Sequence, residues 1–197
     1  MAGYGADKYC ESAKVKIRKV CEVENEDIYF LVSGTQTNAV VINLMLQSYE
    51  GVIAAETGHI SVHEAGSKGI RFWHCGKINV NELKEYLWTF YVDGNYEHMV
   101  FSEMVYISHL TEYGTLYTKN ELTEISEICK KYEIPLFLDR ARLAYGLMAK
   151  DTDVTLPDIA RLCDVFYFGG TKARALLGEA VVFTKDNPPK NFVTRIK

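Results

Sequence analysis

The sequence predicts an α/β fold, three layers α/β/α around a mainly parallel sheet. Two observations carry that expectation. Short apolar runs alternate with stretches of helical periodicity along nearly the whole chain. The runs are nearly unbroken by polar residues, as strands are when helices cover both faces of a parallel sheet.

Residues 7–20 carry a helical rhythm of charged and apolar side chains, and 28–32 form a short apolar run that Ser33-Gly34-Thr35 ends. A helix-like stretch follows over 36–47, then a second strand at 52–55 and another helical start near His59. Residues 80–90 read as helix, and 99–107 contain a third strand. Thr118 is a natural N-cap for a helix over 119–132 that places Leu122, Ile125, Ile128 and Cys129 on one face. The fourth strand is 135–138, with helices expected over 141–149 and 156–162, and the last two strands at 165–168 and 180–183. Pro188-Pro189 and the basic stretch after it read as a frayed exit or a cut chain.

The 197 residues, 48% hydrophobic and 24% charged, suit one globular domain and exclude disordered, collagen-like and coiled-coil readings. Twenty-two Lys and Arg against 26 Asp and Glu leave a net charge of −4, so no nucleic-acid partner is expected. No apolar run approaches the roughly 18 residues of a membrane span, and Met1-Ala2-Gly3-Tyr4-Gly5 does not read as a signal peptide. The five cysteines are an odd number, widely scattered and without a CxxC pair. They read as reduced, mostly buried thiols of a cytoplasmic protein rather than a disulfide framework or zinc site.

Chemistry is expected where strands end, because in open α/β sheets ligands bind outside the carboxyl ends of the strands. Five successive strand ends carry Ser33-Gly34-Thr35, Glu56-Thr57-Gly58-His59, Ser108-His109, Asp139 and Gly169-Gly170-Thr171-Lys172. Ser33-Gly34-Thr35 opens a helix whose free N–H groups suit a phosphate, or is a plain N-cap. Asp139 is placed to hold a protonated ring nitrogen, or to cap a helix. Lys172 emerges after a Gly-Gly-Thr turn at the edge of an apolar core, as a nucleophilic amine or a solvated surface charge. Together a phosphate cup, an acid and a rim lysine are the parts of a pyridoxal-phosphate site. His59 and His63 are spaced for a metal, but no third ligand is evident.

Longer stretches carry a family resemblance. They include Phe30-Leu31-Val32-Ser33-Gly34-Thr35-Gln36-Thr37-Asn38, Thr57-Gly58-His59-Ile60 with His63-Glu64-Ala65-Gly66, and Thr111-Glu112 with Gly114-Thr115. The most specific are Leu136-Phe137-Leu138-Asp139 with Ala141-Arg142-Leu143, and Phe166-Tyr167-Phe168-Gly169-Gly170-Thr171-Lys172 with Gly178-Glu179-Ala180. In this order they resemble the threonine aldolase and tryptophanase-like group of β-eliminating lyases, pyridoxal-phosphate enzymes of the aspartate-aminotransferase fold.

The resemblance implies that Gly34 and Thr35 bind the phosphate of pyridoxal phosphate and that His59 stacks on its ring. It implies that Asp139 pairs with the ring nitrogen, that Arg142 holds a substrate carboxylate, and that Lys172, after Thr171, carries the cofactor covalently. A lyase acting on a small β-substituted amino acid is expected, by retro-aldol cleavage or β-elimination, working as a homo-oligomer. The resemblance covers the large, cofactor-binding domain over 1–197, without the N-terminal segment and small C-terminal domain of the relatives. Two departures stand out. Arg140 replaces a glycine usual in the family, and residues 66–76 are shorter than in relatives, so one sheet strand is expected to be lost or distorted. These features also suit a degenerate relative that keeps the fold and binds cofactor without turnover.

Overall fold

The computed structural model describes residues 7–62, 69–72, 76–139, 146, 149–171, 178–185 and 188–196. Among them a seven-stranded sheet is built from β1 (Asp27–Leu31), β2 (Glu50–Ala55), β3 (Gly69–Phe72), β4 (Phe101–Ser108), β5 (Leu136–Asp139), β6 (Val165–Gly169) and β7 (Glu179–Phe183). The spatial order is β1-β7-β6-β5-β4-β2-β3. Strands β3, β2, β4, β5 and β6 pair in parallel, whereas β7 runs antiparallel to both β6 and β1. All strands except β7 therefore point one way, and their carboxyl ends share one rim. Only β7 brings its amino end to that rim.

The helices are α1 (Lys8–Cys21), α2 (Gly34–Met45), α3 (His59–Val62), α4 (Val80–Val92), α5 (Lys119–Lys131), α6 (Leu156–Leu162) and α7 (Phe192–Arg195). The period-2 alternation of the strands divides the core in two. Ile53, Val105, Leu138 and Phe166 pack with α1, α4, α5 and α6, including Cys21, Leu87, Ile125 and Ile159. Met104, Tyr106, Phe137 and Tyr167 face the other side, with Val41 of α2, Ile60 of α3 and Phe192 of α7. Three layers result, as the sequence predicts. No helix among the described residues is long and apolar enough to cross a membrane.

Local chemistry sets where the helices begin. The Asp7 carboxylate caps α1 by accepting from the backbone N–H groups of Tyr9 and Cys10. Thr118 caps α5, and Glu121 closes a capping box by accepting from the Thr118 N–H at 2.7 Å. In α6, Thr155 and Asp158 form a second box, with Pro157 in the first turn where its missing N–H costs nothing. That helix spans the residues the sequence assigns to it, and the ends of the expected strands differ from those observed by at most two residues.

One expectation is corrected. The strand expected to be lost or distorted between residues 66 and 76 is kept as the four-residue β3, paired in parallel with Val52–Ala55 of β2. Four residues suffice to cover the outer edge of β2, whose backbone groups would otherwise lack partners. Arg71 interrupts the apolar run, so no strand signal stands out there. The expected helix over 141–149 lies mostly outside the described residues.

Asp158 ties two helices of one layer together. It accepts from the Thr155 hydroxyl at 2.7 Å, from Lys119 Nζ of α5 at 2.8 Å and from Arg161. Burial by itself raises this carboxyl, but hydrogen bonds from Lys119, Thr155 and Arg161 outweigh it and hold it well below the usual carboxylate range. A carboxyl depressed on folding contributes stability that is present above its unfolded value of about 4 and is lost as pH falls through the folded value. Asp158→Asn is expected to cost about 2 kcal/mol at neutral pH in urea unfolding. The gap between parent and variant should narrow below about pH 4.

Candidate functional site

The rim is built first from the turn between β1 and α2. Ser33 is extended, at φ −154°, and its hydroxyl accepts from the Gln36 N–H at 3.3 Å, while the Gln36 side chain accepts from the Val32 N–H at 3.0 Å. The N–H groups of Gly34 and Thr35 have no carbonyl within the helix to bond, since a helix start leaves them over. They stand at the positive end of a 12-residue helix, and Thr35 is exposed. The N-cap reading of Ser33 is met, and the N–H groups of Gly34 and Thr35 lie at the open helix end that the phosphate reading requires. A Cβ on Gly34 would sit 3.1 Å from the Tyr167 hydroxyl, so the helix start approaches β6 at a distance that favours glycine.

Asp139 ends β5 and is 5% exposed. Its Oδ2 accepts from Asn38 Nδ2 at 3.1 Å and from the Tyr106 hydroxyl, and its Oδ1 accepts from the Tyr167 hydroxyl. Asn38 lies one turn beyond Gly34, so α2 presents its open end and this carboxamide on one face. Burial pushes the Tyr106 hydroxyl well above the usual phenol range, and the neighbouring Asp139 and Tyr167 push it further. It therefore stays protonated and acts as a donor.

Beside this cluster, the Glu112 carboxylate accepts from the His59 backbone N–H at 3.0 Å and from the Ser108 hydroxyl at 2.9 Å, joining the start of α3 to the end of β4. A Cβ on Gly58 would lie 3.8 Å from Tyr106 Cε1, so the turn carrying His59 rests on the tyrosine that bonds Asp139. On the far side, Glu179 opens β7 opposite both Leu31 and Gly169, and it is 4% exposed. It stands between the turn after β1 and the turn Gly169-Gly170-Thr171. Burial raises its carboxyl above the ordinary range; hydrogen bonding from Thr171 and the backbone of Gly170 and Thr171 offsets this only in part, and Asp139 adds to the rise.

Thr57 Oγ1, Glu112 Oε2 and Glu179 Oε2 are buried and have no hydrogen-bond partner among the described residues. An oxygen left so costs about 1–3 kcal/mol. All three lie along the same rim as Asp139. No group of three His, Cys, Asp or Glu able to hold a metal occurs among the described residues.

Of the residues singled out by sequence, Gly34, Thr35, His59, Asp139 and Thr171 stand at this rim. Lys172, Arg140, Arg142 and His63 lie outside the described residues. Asn38, Tyr106, Tyr167, Glu112 and Glu179 have no role assigned by sequence. Their available signal is a polar atom in an apolar strand, or helical spacing from Gly34, and each has an ordinary structural explanation taken alone.

The profile of the beta-eliminating lyase family matches residues 2–195. A low specificity L-threonine aldolase from Pseudomonas sp. (strain NCIMB 10558) is 30% identical over 204 residues, covering 98% of this chain and 57% of that protein. One from Pseudomonas aeruginosa is 28% identical over 203 residues with the same coverage. Among solved structures, Leishmania major threonine aldolase superposes with a TM-score of 0.91 at 42% identity, over 99% of this chain and 58% of that one. An aromatic aminotransferase from Pyrococcus horikoshii OT3 superposes at 0.69 with 17% identity, over 94% of this chain and 50% of that one, a likeness of fold alone. The chain spans 57% of the length of the curated relatives it matches.

The raised carboxyl of Glu179 has a measurable consequence. A carboxyl whose value rises on folding makes the folded chain lose stability as pH climbs from the unfolded value, about 4.3, toward the folded one. Glu179→Gln removes that dependence. In urea unfolding of the cofactor-free chain, the variant is expected to gain on the parent as pH rises above about 4, by an amount on the order of 1 kcal/mol.

Proposed function

The chain belongs to the beta-eliminating lyase family, and from that premise we propose that it is the cofactor-binding part of a pyridoxal-phosphate-dependent lyase. Its substrate is a small β-substituted amino acid, cleaved by a retro-aldol step when the substituent is a hydroxyl, as in threonine, or by β-elimination. The observation that carries this reading is Asp139, buried and held by three donors, facing the same side of the sheet as the open end of α2. Helix-end donors for a phosphate, an acid for a ring N–H and a close glycine between them fit this cofactor, and the three unpartnered rim oxygens suit its polar groups.

When bound, pyridoxal phosphate supplies an electron sink that stabilises negative charge at the α-carbon of an amino acid. The N–H groups of Gly34 and Thr35 receive the phosphate, favoured by the helix dipole. Asp139 accepts a hydrogen bond from the ring nitrogen and keeps it protonated. His59, whose backbone N–H is held by Glu112, would stack on the ring. Arg142 would take the substrate carboxylate, for which its two-pronged donor is suited, Thr171 would offer a hydroxyl to the cofactor, and the Lys172 amine would be the point of covalent attachment.

A homo-oligomer in the cytoplasm is the setting we assign. Exposed Trp88 and Val92 on α4 favour association, and none of Cys10, Cys21, Cys129 and Cys163 is in a disulfide. Arg140, next in sequence to Asp139, favours a second reading, cofactor binding without turnover, because added positive charge disfavours a protonated ring.

With pyridoxal phosphate added and borohydride as reductant, label is expected on Lys172, and Lys172→Ala should lose both the label and at least about 10³-fold of any threonine cleavage. Equal labelling of parent and variant would refute the lysine assignment. Binding without cleavage in the parent, with cleavage gained in Arg140→Gly, would favour the second reading.

A further inference from the structure

The two tyrosines on Asp139 spend their hydroxyls in an unusual place. Tyr106 and Tyr167 are 0% and 1% exposed, in the apolar layer between the sheet and α2, and both pack against the Phe137 ring. Phenylalanine would fill the same space. A buried hydroxyl is costly without a partner, and both hydroxyls find theirs on Asp139, one on each oxygen. Asn38 adds a third neutral donor at 3.1 Å and is itself 3.4 Å from the Tyr106 hydroxyl.

This arrangement does two things. It couples Asp139 to α2, since Asn38 belongs to that helix and the Tyr167 hydroxyl would lie 3.1 Å from a Cβ on Gly34. The acid and the helix end are thereby held at a set spacing. It also draws charge from both carboxyl oxygens, and neutral donors that stabilise the charged form of an acid weaken its pull on a proton shared with a partner. Resting on the reading of Asp139 as partner of the cofactor's ring nitrogen, we infer that Tyr106 and Tyr167 are positioning residues that hold Asp139 and moderate how strongly it retains the proton on that nitrogen. Among the described residues, Tyr106 on β4, Tyr167 on β6 and Glu179 on β7 are titratable groups that act on or with Asp139 from the strands around it. Glu179 is left unchanged in every variant below and forms a common background.

The probe is deoxypyridoxine phosphate, which keeps the ring and phosphate but has no aldehyde, so its ring titration is read by ultraviolet absorbance without attachment to Lys172. The full chain is compared with Asp139→Asn, Tyr106→Phe and Tyr167→Phe. Asp139→Asn should move the ring midpoint down by about 1 unit or more. Each Tyr→Phe change should move it up, by about 0.5 unit, because the carboxylate left with fewer donors holds the ring proton more tightly. A purely structural role predicts weaker binding with the midpoint unmoved or moved toward that of Asp139→Asn.

The outcomes separate the inference from the reading beneath it. If Asp139→Asn leaves the midpoint in place, the pairing of Asp139 with the ring nitrogen is wrong and the inference falls with it. If Asp139→Asn lowers the midpoint while neither Tyr→Phe change raises it, the pairing stands and the inference alone is overturned. Loss of probe binding in both tyrosine variants overturns it too, since the hydroxyls would then be required to build the site rather than to tune it.

Discussion

A buried acid at the end of a central strand is expensive, and much of the rim can be read as the arrangement that makes Asp139 tolerable. Its oxygens accept from Asn38, Tyr106 and Tyr167, which come from α2, β4 and β6. Each donor places a demand on its own element. Tyr106 and Tyr167 must lie on the α2 side of the sheet, which sets the alternation of β4 and β6. Asn38 must face the sheet, which puts Gly34 one turn earlier against β6. Proximity then favours the glycine, since a side chain there would press on the hydroxyl that Asp139 uses.

The direction of β7 is the second constraint. As the only antiparallel strand in the sheet of described residues, it brings its first residue, Glu179, to the rim where the other strands end. Two acids, Asp139 and Glu179, consequently share one side of the sheet, and Asp139 adds to the rise of the Glu179 carboxyl. In the helices of the opposite layer the buried acid Asp158 is met by Lys119, Arg161 and Thr155. The starts of these helices are capped by Thr118, Thr155 and Asn79, and their inner faces are apolar. Structural satisfaction is concentrated in one layer, and chemistry in the other.

Sequence periodicity and capping residues were sufficient to locate most elements, because these signals act over one or two turns. Thr118 with Glu121 and Thr155 with Asp158 announce their helices within four residues. The strand β3 has little local signal, because four residues including Arg71 make too short an apolar run, and pairing with β2 supplies what that signal lacks. At the site, the polar strand ends were legible: Gly34, Thr35, His59, Asp139 and Thr171 were all marked by their position after apolar runs. Tyr106 and Tyr167 were not, since a tyrosine inside an apolar strand looks like any other large core residue until its hydroxyl has a partner.

What the sequence determined by itself was the layered α/β architecture and the rim on which polar groups collect, both products of hydrophobic alternation and of local backbone chemistry. The tertiary structure decided which of those groups meet. The hydrogen bonds to Asp139 span 101, 33 and 28 residues of chain. No local signal reaches so far, and only the pairing of β4, β5 and β6 with α2 laid across them brings the three donors within bonding distance of one carboxylate.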